Sequence, residues 1–333
     1  MPQHKWSYLR FEGVELESLL FLFKDKTVLV SGGTGSLGNA LVTELLKYEP
    51  KEVRIFSRDE EKQLDMQRKF SSDKLKFIVG DVRDYEAINE ATEGVDYVYH
   101  AAALKIIPVC EEFPMESIKT NLLGSWNVKK AAMKQHVSKA VFISTDKAVQ
   151  PINIYGACKM VAERMWSQTQ TESSRFSVVR YGNVIGSRGS VVPLFKMLID
   201  KKEPIPITHT EMTRFLLTLK KAVEIIFYAT IHMEGGEVFV PKLPSCKIVD
   251  LPKVLSNQDY PVTNLGIRGG EKIHEVLICK DEFRRAEDKD GYYVIRPYGQ
   301  YDSGKISEEY SSENATRLNL QELKALLKGS GWL

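Results

Sequence analysis

Short apolar runs recur through the first half of the chain, each ending in glycine or small polar residues and each followed by a stretch with helical spacing. They are TVLVS (27–31), EVRIF (52–56), LKFIVG (75–80), VDYVYHAAA (95–103), AVFIS (140–144) and FSVVRYGNVIG (176–186). Their near-continuous apolar character is what strands covered on both faces require. Between them, NALVTELLKY (39–48), a segment from about Met115 to Gln135 carrying Asn121, and a stretch beginning near Tyr155 read as helices. This alternation predicts an α/β fold with a doubly wound parallel sheet of the Rossmann type.

From about residue 200 the pattern changes to short elements broken by proline and glycine: EPIPIT (203–208), a helix from Thr218, EVFVP (237–241), a helix near Asp250, and GIRGGEKIHEVL (266–277). The division this suggests is a dinucleotide-binding domain over 25–200 and a smaller C-terminal α/β substrate-binding lobe over 201–333, polar in its tail beyond Gly299. Residues 1–24 precede the first strand and form an extension that packs either on a neighbouring subunit or on the domain surface.

With 333 residues the chain is long enough for a full core. Lysine and arginine total 46 against 44 acidic residues, a net charge of +2, so no field draws nucleic acid or an anionic membrane. The four cysteines, Cys110, Cys158, Cys246 and Cys279, show no Cys-x-x-Cys pair and no histidine at zinc-ligand spacing, which points to a reducing compartment and no metal site. The early apolar run LLFLF (19–23) is too short to span a membrane, so a cytoplasmic protein is expected.

The first strand runs into GGTGSLG (32–38), with Gly32, Gly35 and Gly38 three apart and Thr34, Ser36 and Leu37 between them. Glycines here allow a tight turn and a close backbone approach to a pyrophosphate, and the following helix adds its positive end. At the end of the second strand, where an acidic residue would grip the ribose of NAD, the sequence has Ser57 and Arg58, then Asp59 and Lys62. Arg58 suits a 2′-phosphate, which favours NADP; it also fits a surface ladder with Asp59, Glu60 and Lys62. The third strand delivers Asp81 and Val82, a carboxylate for the adenine amino group. The fourth ends in small residues, Ala101 to Ala103, that leave room for ribose and nicotinamide, with Lys105 at the lip of the cleft.

The densest chemistry lies in STDKAVQPINIYGACK (144–159). Thr145, Asp146 and Lys147 leave the carboxyl end of a buried strand, the edge where open α/β sheets bind ligands. Tyr155 and Lys159 stand at i and i+4, on one face of a helix. An ammonium beside a phenol lowers the tyrosine pKa toward working pH, as a base acting on a sugar hydroxyl needs. The sixth strand leads to SRGSVVP (187–193), with Asn183, Arg188 and Val191 as candidates near a ligand. In the lobe, Thr208, Arg214, Arg268 and Glu271 are candidates for a phosphorylated substrate, although surface salt bridges account for the last three equally well.

Through GGTGSLG, HAAALK and the Tyr155–Lys159 pair, residues 25–280 resemble the extended short-chain dehydrogenase/reductase superfamily. Within it, SRDE, GDVRD, STDKA, PIN-Y-G-x-x-K, VRYGNV-x-GSRGSV-x-P, MTRF and GEK-x-HE are similar to UDP-N-acetylglucosamine 4,6-dehydratases, with Lys147 marking that group and Tyr155 the soluble, inverting branch. The resemblance implies an NADP-dependent lyase of pseudaminic-acid or capsule-sugar synthesis that forms a homo-oligomer. It also implies roles: Tyr155, kept acidic by Lys159, takes the carbon 4 hydroxyl proton while Thr145 holds that oxygen. Lys147, with its pKa lowered, takes the carbon 5 proton and protonated Asp146 releases the carbon 6 hydroxyl as water. A retaining dehydratase, a UDP-hexosamine 4-epimerase and a non-catalytic NADP sensor are the rival readings.

Overall fold

The structure, a computed structural model, describes residues 16–168, 170–289, 291–299 and 308–333. Its strands, in chain order, are β1 Thr27–Ser31, β2 Glu52–Ser57, β3 Leu75–Val79, β4 Tyr97–His100, β5 Lys139–Thr145 and β6 Arg175–Tyr181. There follow β7 Asn183–Val184, β8 Ile205–Ile207, β9 Thr213–Leu217, β10 Val238–Pro241, β11 Ser245–Lys247 and β12 Val262–Asn264. The last four are β13 Val276–Ile278, β14 Ala286–Lys289, β15 Tyr292–Ile295 and β16 Tyr310–Ser311.

Nine of these form one sheet in the order β14-β15-β10-β6-β5-β4-β1-β2-β3. From β10 to β3 every pair is parallel; β15 runs the other way, and β14, antiparallel to β15, turns back to the direction of the rest. The order in which strands are added reverses between β1 and β4, and a crevice opens there at the carboxyl ends of the strands. The expected Rossmann-type α/β sheet is thus present. β1 and β4 are buried at every position, which is why their sequences are apolar throughout. β3, at the edge, is half exposed.

The sheet does not stop at residue 200. β10, β14 and β15 extend it, and helix Leu219–His232 covers the same core, with Phe227 packed between Phe23, Tyr48 and Tyr99. A separate, smaller core joins helices Val191–Asp200, Asp250–Ser256 and Leu320–Gly329 through Phe195, Leu251, Leu323 and Leu327. Of the tail beyond 308, Leu318 and helix Leu320–Gly329 belong to this smaller core, while Tyr310 and Ala315 pack on the main one.

Helix Leu16–Phe23 of the extension lies on the domain, its Leu19 and Phe23 fully buried in the main core; residues 1–15 fall outside the described part. The segment expected to be one helix over about 115–135 is three: Pro114–Ser117, a π-helical stretch Ile118–Leu123, and Gly124–Lys134. π-Helical turns frequently mark functional positions. Here the turn aims Asn121 at the loop after β4, where its amide oxygen accepts from Leu104 N–H at 2.8 Å and its amide nitrogen donates to Leu104 O at 2.8 Å. No helix among the described residues is long and apolar enough to cross a membrane.

Candidate active site

A cavity of about 780 Å³ opens at the carboxyl end of the sheet, over the β1/β4 crevice. Its floor is the glycine loop. Gly32 has φ +70, and a Cβ there would stand 2.7 Å from the Ala102 nitrogen, so the turn and the loop after β4 touch backbone to backbone. A Cβ at Gly38 would stand 2.3 Å from the Gly33 oxygen, closing helix Ser36–Leu45 onto the turn. That helix begins at Gly35 with no side-chain cap, leaving its first N–H groups for a ligand. Thr34, Gly35, Ser36 and Leu37 all line the cavity.

One wall comes from β2, β3 and β4. Gln63, buried, donates to Ser57 O at 3.0 Å and Ile78 O at 2.8 Å, which clamps the ends of β2 and β3 together. Asp59 caps helix Glu60–Phe70 through Lys62 N–H at 3.0 Å and also accepts from Lys62 Nζ. Those bonds hold its carboxyl below the usual range. Arg58 extends past it, about half exposed and 3.4 Å from Asp81 Oδ2. Asn127 donates to Val82 O at 3.0 Å and holds the Asp81–Val82 turn in place. Ala101, Ala103 and Lys105 complete this side.

The opposite wall carries the acid/base groups. β5 ends in Thr145, whose hydroxyl donates to Asp146 Oδ1 at 2.9 Å. Lys147 Nζ donates to the same oxygen at 3.0 Å and lies 3.2 Å from Glu275 Oε1. Asp146 is fully buried beneath the lining, and its second oxygen has no hydrogen-bond partner. Burial raises its pKa against the opposing pull of Lys147, which makes this carboxyl easier to protonate than an exposed one.

Two expectations about charge are corrected. Burial does pull Lys147 down, but the Asp146 and Glu275 carboxylates outweigh it and hold the ammonium above its ordinary value, not below. Tyr155 is pushed up to about 12, chiefly by burial, and the cation that most opposes this is Lys147. Lys159 Nζ donates instead to Ile143 O at 2.7 Å and lies 4.3 Å from the centre of the Phe142 ring. Its own burial brings it to about 7. The Tyr155 phenol and the Lys159 amine still share the cavity wall.

Of the lobe candidates, Arg268 and Glu271 line the cavity along with Asn183 and Val191. Arg188 does so from an unexpected side. It reaches across to the glycine loop, its N–H donating to Ser36 Oγ at 3.1 Å and its guanidinium to Thr34 O at 2.5 Å. Arg214 lines the cavity but spends its guanidinium on the carbonyls of Thr213, Lys272 and Ile273 at 2.7–2.9 Å, so it organises the 272–275 segment. Thr208 is not among the lining residues; its hydroxyl faces Met212 Sδ at 3.4 Å.

Sequence reasoning missed Thr120, Ser144, Ser187, Ser190 and Glu275, all of which line the cavity. Among the described residues twelve buried side-chain polar atoms lack a partner, and six belong to lining residues: Thr120, Ser144, Asn183, Ser190, Glu271 and Glu275. Such orphaned groups are rare and call for a ligand or water. The glycine cradle, the open helix end and these polar atoms together fit a dinucleotide on one side and a polar substrate on the other. No group of acidic, histidine or cysteine residues among the described residues has the arrangement of a metal site.

A family model described as polysaccharide biosynthesis protein matches residues 28–297. The chain is 45% identical over 331 residues to a Rickettsia akari protein named UDP-glucose 4-epimerase, covering 92% of this chain and 96% of that one. It is 40% identical over 325 residues to a Methanocaldococcus jannaschii protein named only as an uncharacterized membrane protein, covering 93% and 98%. The crystal structure of Pen from Bacillus thuringiensis matches with a TM-score of 0.89 at 36% identity, covering 93% of this chain and 99% of that one.

Proposed function

The chain belongs to the polysaccharide biosynthesis protein family, within the extended short-chain dehydrogenase/reductases, and from that premise we propose that it is a UDP-N-acetylglucosamine 4,6-dehydratase. The observation that carries this reading is the buried Asp146 carboxyl joined at 3.0 Å to Lys147 beside Tyr155. A dehydration needs both an acid for the leaving hydroxyl and a base for carbon 5; an epimerisation at carbon 4 needs neither. Inversion at carbon 5 and a place in surface-glycan synthesis, of pseudaminic acid or a capsule sugar, belong to the same proposal.

The dinucleotide, NADP in this reading, supplies hydride acceptance at carbon 4 and its return at carbon 6. The glycine loop with the open end of helix Ser36–Leu45 would hold its pyrophosphate, and Arg58 its 2′-phosphate. Arg188, tied to Thr34 and Ser36, keeps the glycine loop and the loop after β7 together over that site. Tyr155 takes the carbon 4 hydroxyl proton, with the Lys147 charge and the Thr145 hydroxyl favouring its anion. Lys147 takes the carbon 5 proton and Asp146 gives its own to the departing carbon 6 hydroxyl. Arg268, Lys105 and Glu271 face the nucleotide end of the substrate. Self-association is part of the reading, supported by Phe113, Met115 and Leu123, which stay half exposed on neighbouring turns.

A UDP-glucose 4-epimerase is the second reading, favoured by the name of the Rickettsia akari relative. Incubation of the purified protein with UDP-N-acetylglucosamine, and separately with UDP-glucose, in deuterium oxide separates the two by proton NMR. The dehydratase gives a 6-deoxy-4-ketone with deuterium at carbon 5 and L-arabino couplings. D-xylo couplings remove the inversion, and a product changed only at carbon 4 establishes the epimerase.

A further inference from the structure

Glu275, the last residue of the GEK-x-HE run, is the second carboxylate on Lys147. Its side chain is 3% exposed, yet it lines the cavity, and Oε2 has no hydrogen-bond partner. The backbone around it is pinned: Glu275 N–H donates to Ser312 Oγ at 2.9 Å, and Ser312 N–H donates to Glu275 O at 2.7 Å. Lys272 Nζ lies 3.8 Å from Oε2 and Arg214 Nε 4.0 Å from Oε1. Lys272 also donates to Val149 O at 2.6 Å, tying this segment to the turn that carries Lys147. Such a network holds one carboxylate oxygen against Nζ and leaves the other unfilled.

The charges decide what this arrangement does. Lys147 can act as a base only as the neutral amine, yet two carboxylates favour its ammonium. With Asp146 and Glu275 ionised and Lys147 charged, the three groups carry one net negative charge. Moving a proton from Nζ to Asp146 Oδ1 along the 3.0 Å hydrogen bond leaves that net charge unchanged. It produces at once the amine and the carboxylic acid that dehydration uses. Glu275 is the group that need not change: burial raises its carboxyl, but Lys147, Arg214 and Lys272 outweigh this and keep it ionised.

We propose that Glu275 is a positioning residue for the carbon 5 step, the fixed anion that holds Lys147 Nζ in place while its proton resides on Asp146 and that stabilises the ammonium formed when Nζ takes the carbon 5 proton. This rests on the dehydratase reading. In the step, the carbon 5–hydrogen bond breaks, its proton goes to Nζ and its electron pair enters the carbon 4 ketone as an enolate. Return of that pair breaks the carbon 6–oxygen bond, and the hydroxyl leaves as water with the Asp146 proton. The three groups end as carboxylate, ammonium and carboxylate, ready for the same internal transfer.

The test uses Glu275→Gln, which keeps an oxygen for Nζ without the charge, and Glu275→Asp, which keeps the charge. Two readouts on the purified protein with UDP-N-acetylglucosamine separate the steps: near-ultraviolet absorbance of the reduced nicotinamide for carbon 4, and deuterium incorporation with ketone formation for carbon 5. In Glu275→Gln the carbon 5 readout is expected to fall about 100-fold while the carbon 4 readout stays within about threefold. Glu275→Asp recovers at least about tenfold of the loss. Equal loss of both readouts in Glu275→Gln, or no loss at carbon 5, overturns the proposal. A wild-type protein that forms reduced nicotinamide but never exchanges carbon 5 overturns the dehydratase reading, and this role with it.

Discussion

Gly156 and Lys147 meet backbone to backbone: a Cβ at position 156 would stand 2.1 Å from the Lys147 carbonyl oxygen. The first turn of helix Ile154–Gln168 is thereby pressed onto the turn after β5, with Tyr155 and Lys147 in one wall. Asn153 reinforces the contact, its amide oxygen accepting from Gly156 N–H at 2.7 Å.

Helix propensity alone says that Gly156→Ala should stabilise the protein by about 1 kcal/mol. The 2.1 Å approach says the opposite, because the obstructing atom is backbone and cannot swing aside. Displacement of Tyr155 by even an ångström can cost about 100-fold in turnover. The expected result for Gly156→Ala is therefore a lower unfolding midpoint and a turnover reduced by about that factor. A variant as active and as stable as the wild type would show that the helix can shift without consequence.

Lys129 offers a test of burial. Its side chain is fully buried, with Nζ donating to Met165 O at 2.5 Å and Trp166 O at 3.3 Å near the end of helix Ile154–Gln168. Burial lowers it from 10.5 to about 7. Between those values the unfolded chain binds a proton that the folded one does not, so stability rises with pH across the window. Below about 7 the folded protein carries the full cost of a buried charge. Urea unfolding of the wild type and of Lys129→Met, compared at several pH values, should show the wild type gaining on the variant from about pH 7 toward 10.5. Parallel curves would mean that Lys129 stays protonated in the fold.

What was legible in the sequence follows from what is local. β1, β4, β5 and β6 announce themselves because burial on both faces demands near-continuous apolar runs, and the glycine loop because three glycines sit at one strand–helix junction. The neighbour of a strand is a long-range fact, so nothing in EVFVP (237–241) reveals that β10 lies parallel to β6 in the main sheet. The same limit applies to side chains. Arg188 reads as a residue near the ligand and Arg214 as a contact to a phosphorylated substrate, yet one is drawn to the glycine loop and the other to three carbonyls that only the tertiary fold brings near. Glu275 stands four residues after the expected Glu271, and the meeting with Lys147 is visible only once the lobe segment crosses the end of β5.

In the proposed function, cofactor choice turns on Arg58. Its guanidinium stands half exposed at the end of β2, its nearest acidic partner 3.4 Å away, where a 2′-phosphate would replace a weak surface pair by charge-assisted hydrogen bonds. Arg58→Ala should weaken NADP binding at least about tenfold and leave NAD binding within about twofold, measured by calorimetric titration of protein stripped of dinucleotide. Equal weakening of both would assign Arg58 to adenine stacking, and no change to either would leave it in the surface charge ladder.

Asp146 separates the two catalytic readings most sharply, because its carboxyl is fully buried and touches only Thr145 and Lys147 at hydrogen-bond distance. Asp146→Asn keeps the shape and the acceptor oxygen but has no proton of suitable acidity to give. If the protein dehydrates, oxidation at carbon 4 survives and the departing hydroxyl lacks its acid, so reduced nicotinamide should accumulate while the 6-deoxy ketone forms about 100-fold or more slowly. Lys147→Ala should stall at the same stage and lose deuterium incorporation at carbon 5, and in Asp146→Asn that exchange should fall as well, since the amide cannot take the proton that frees the Lys147 amine. If the protein is instead a 4-epimerase, Asp146→Asn has no step to lose and should interconvert the carbon 4 epimers at a rate close to the wild type. Absorbance and NMR followed on the same samples decide between the two reactions.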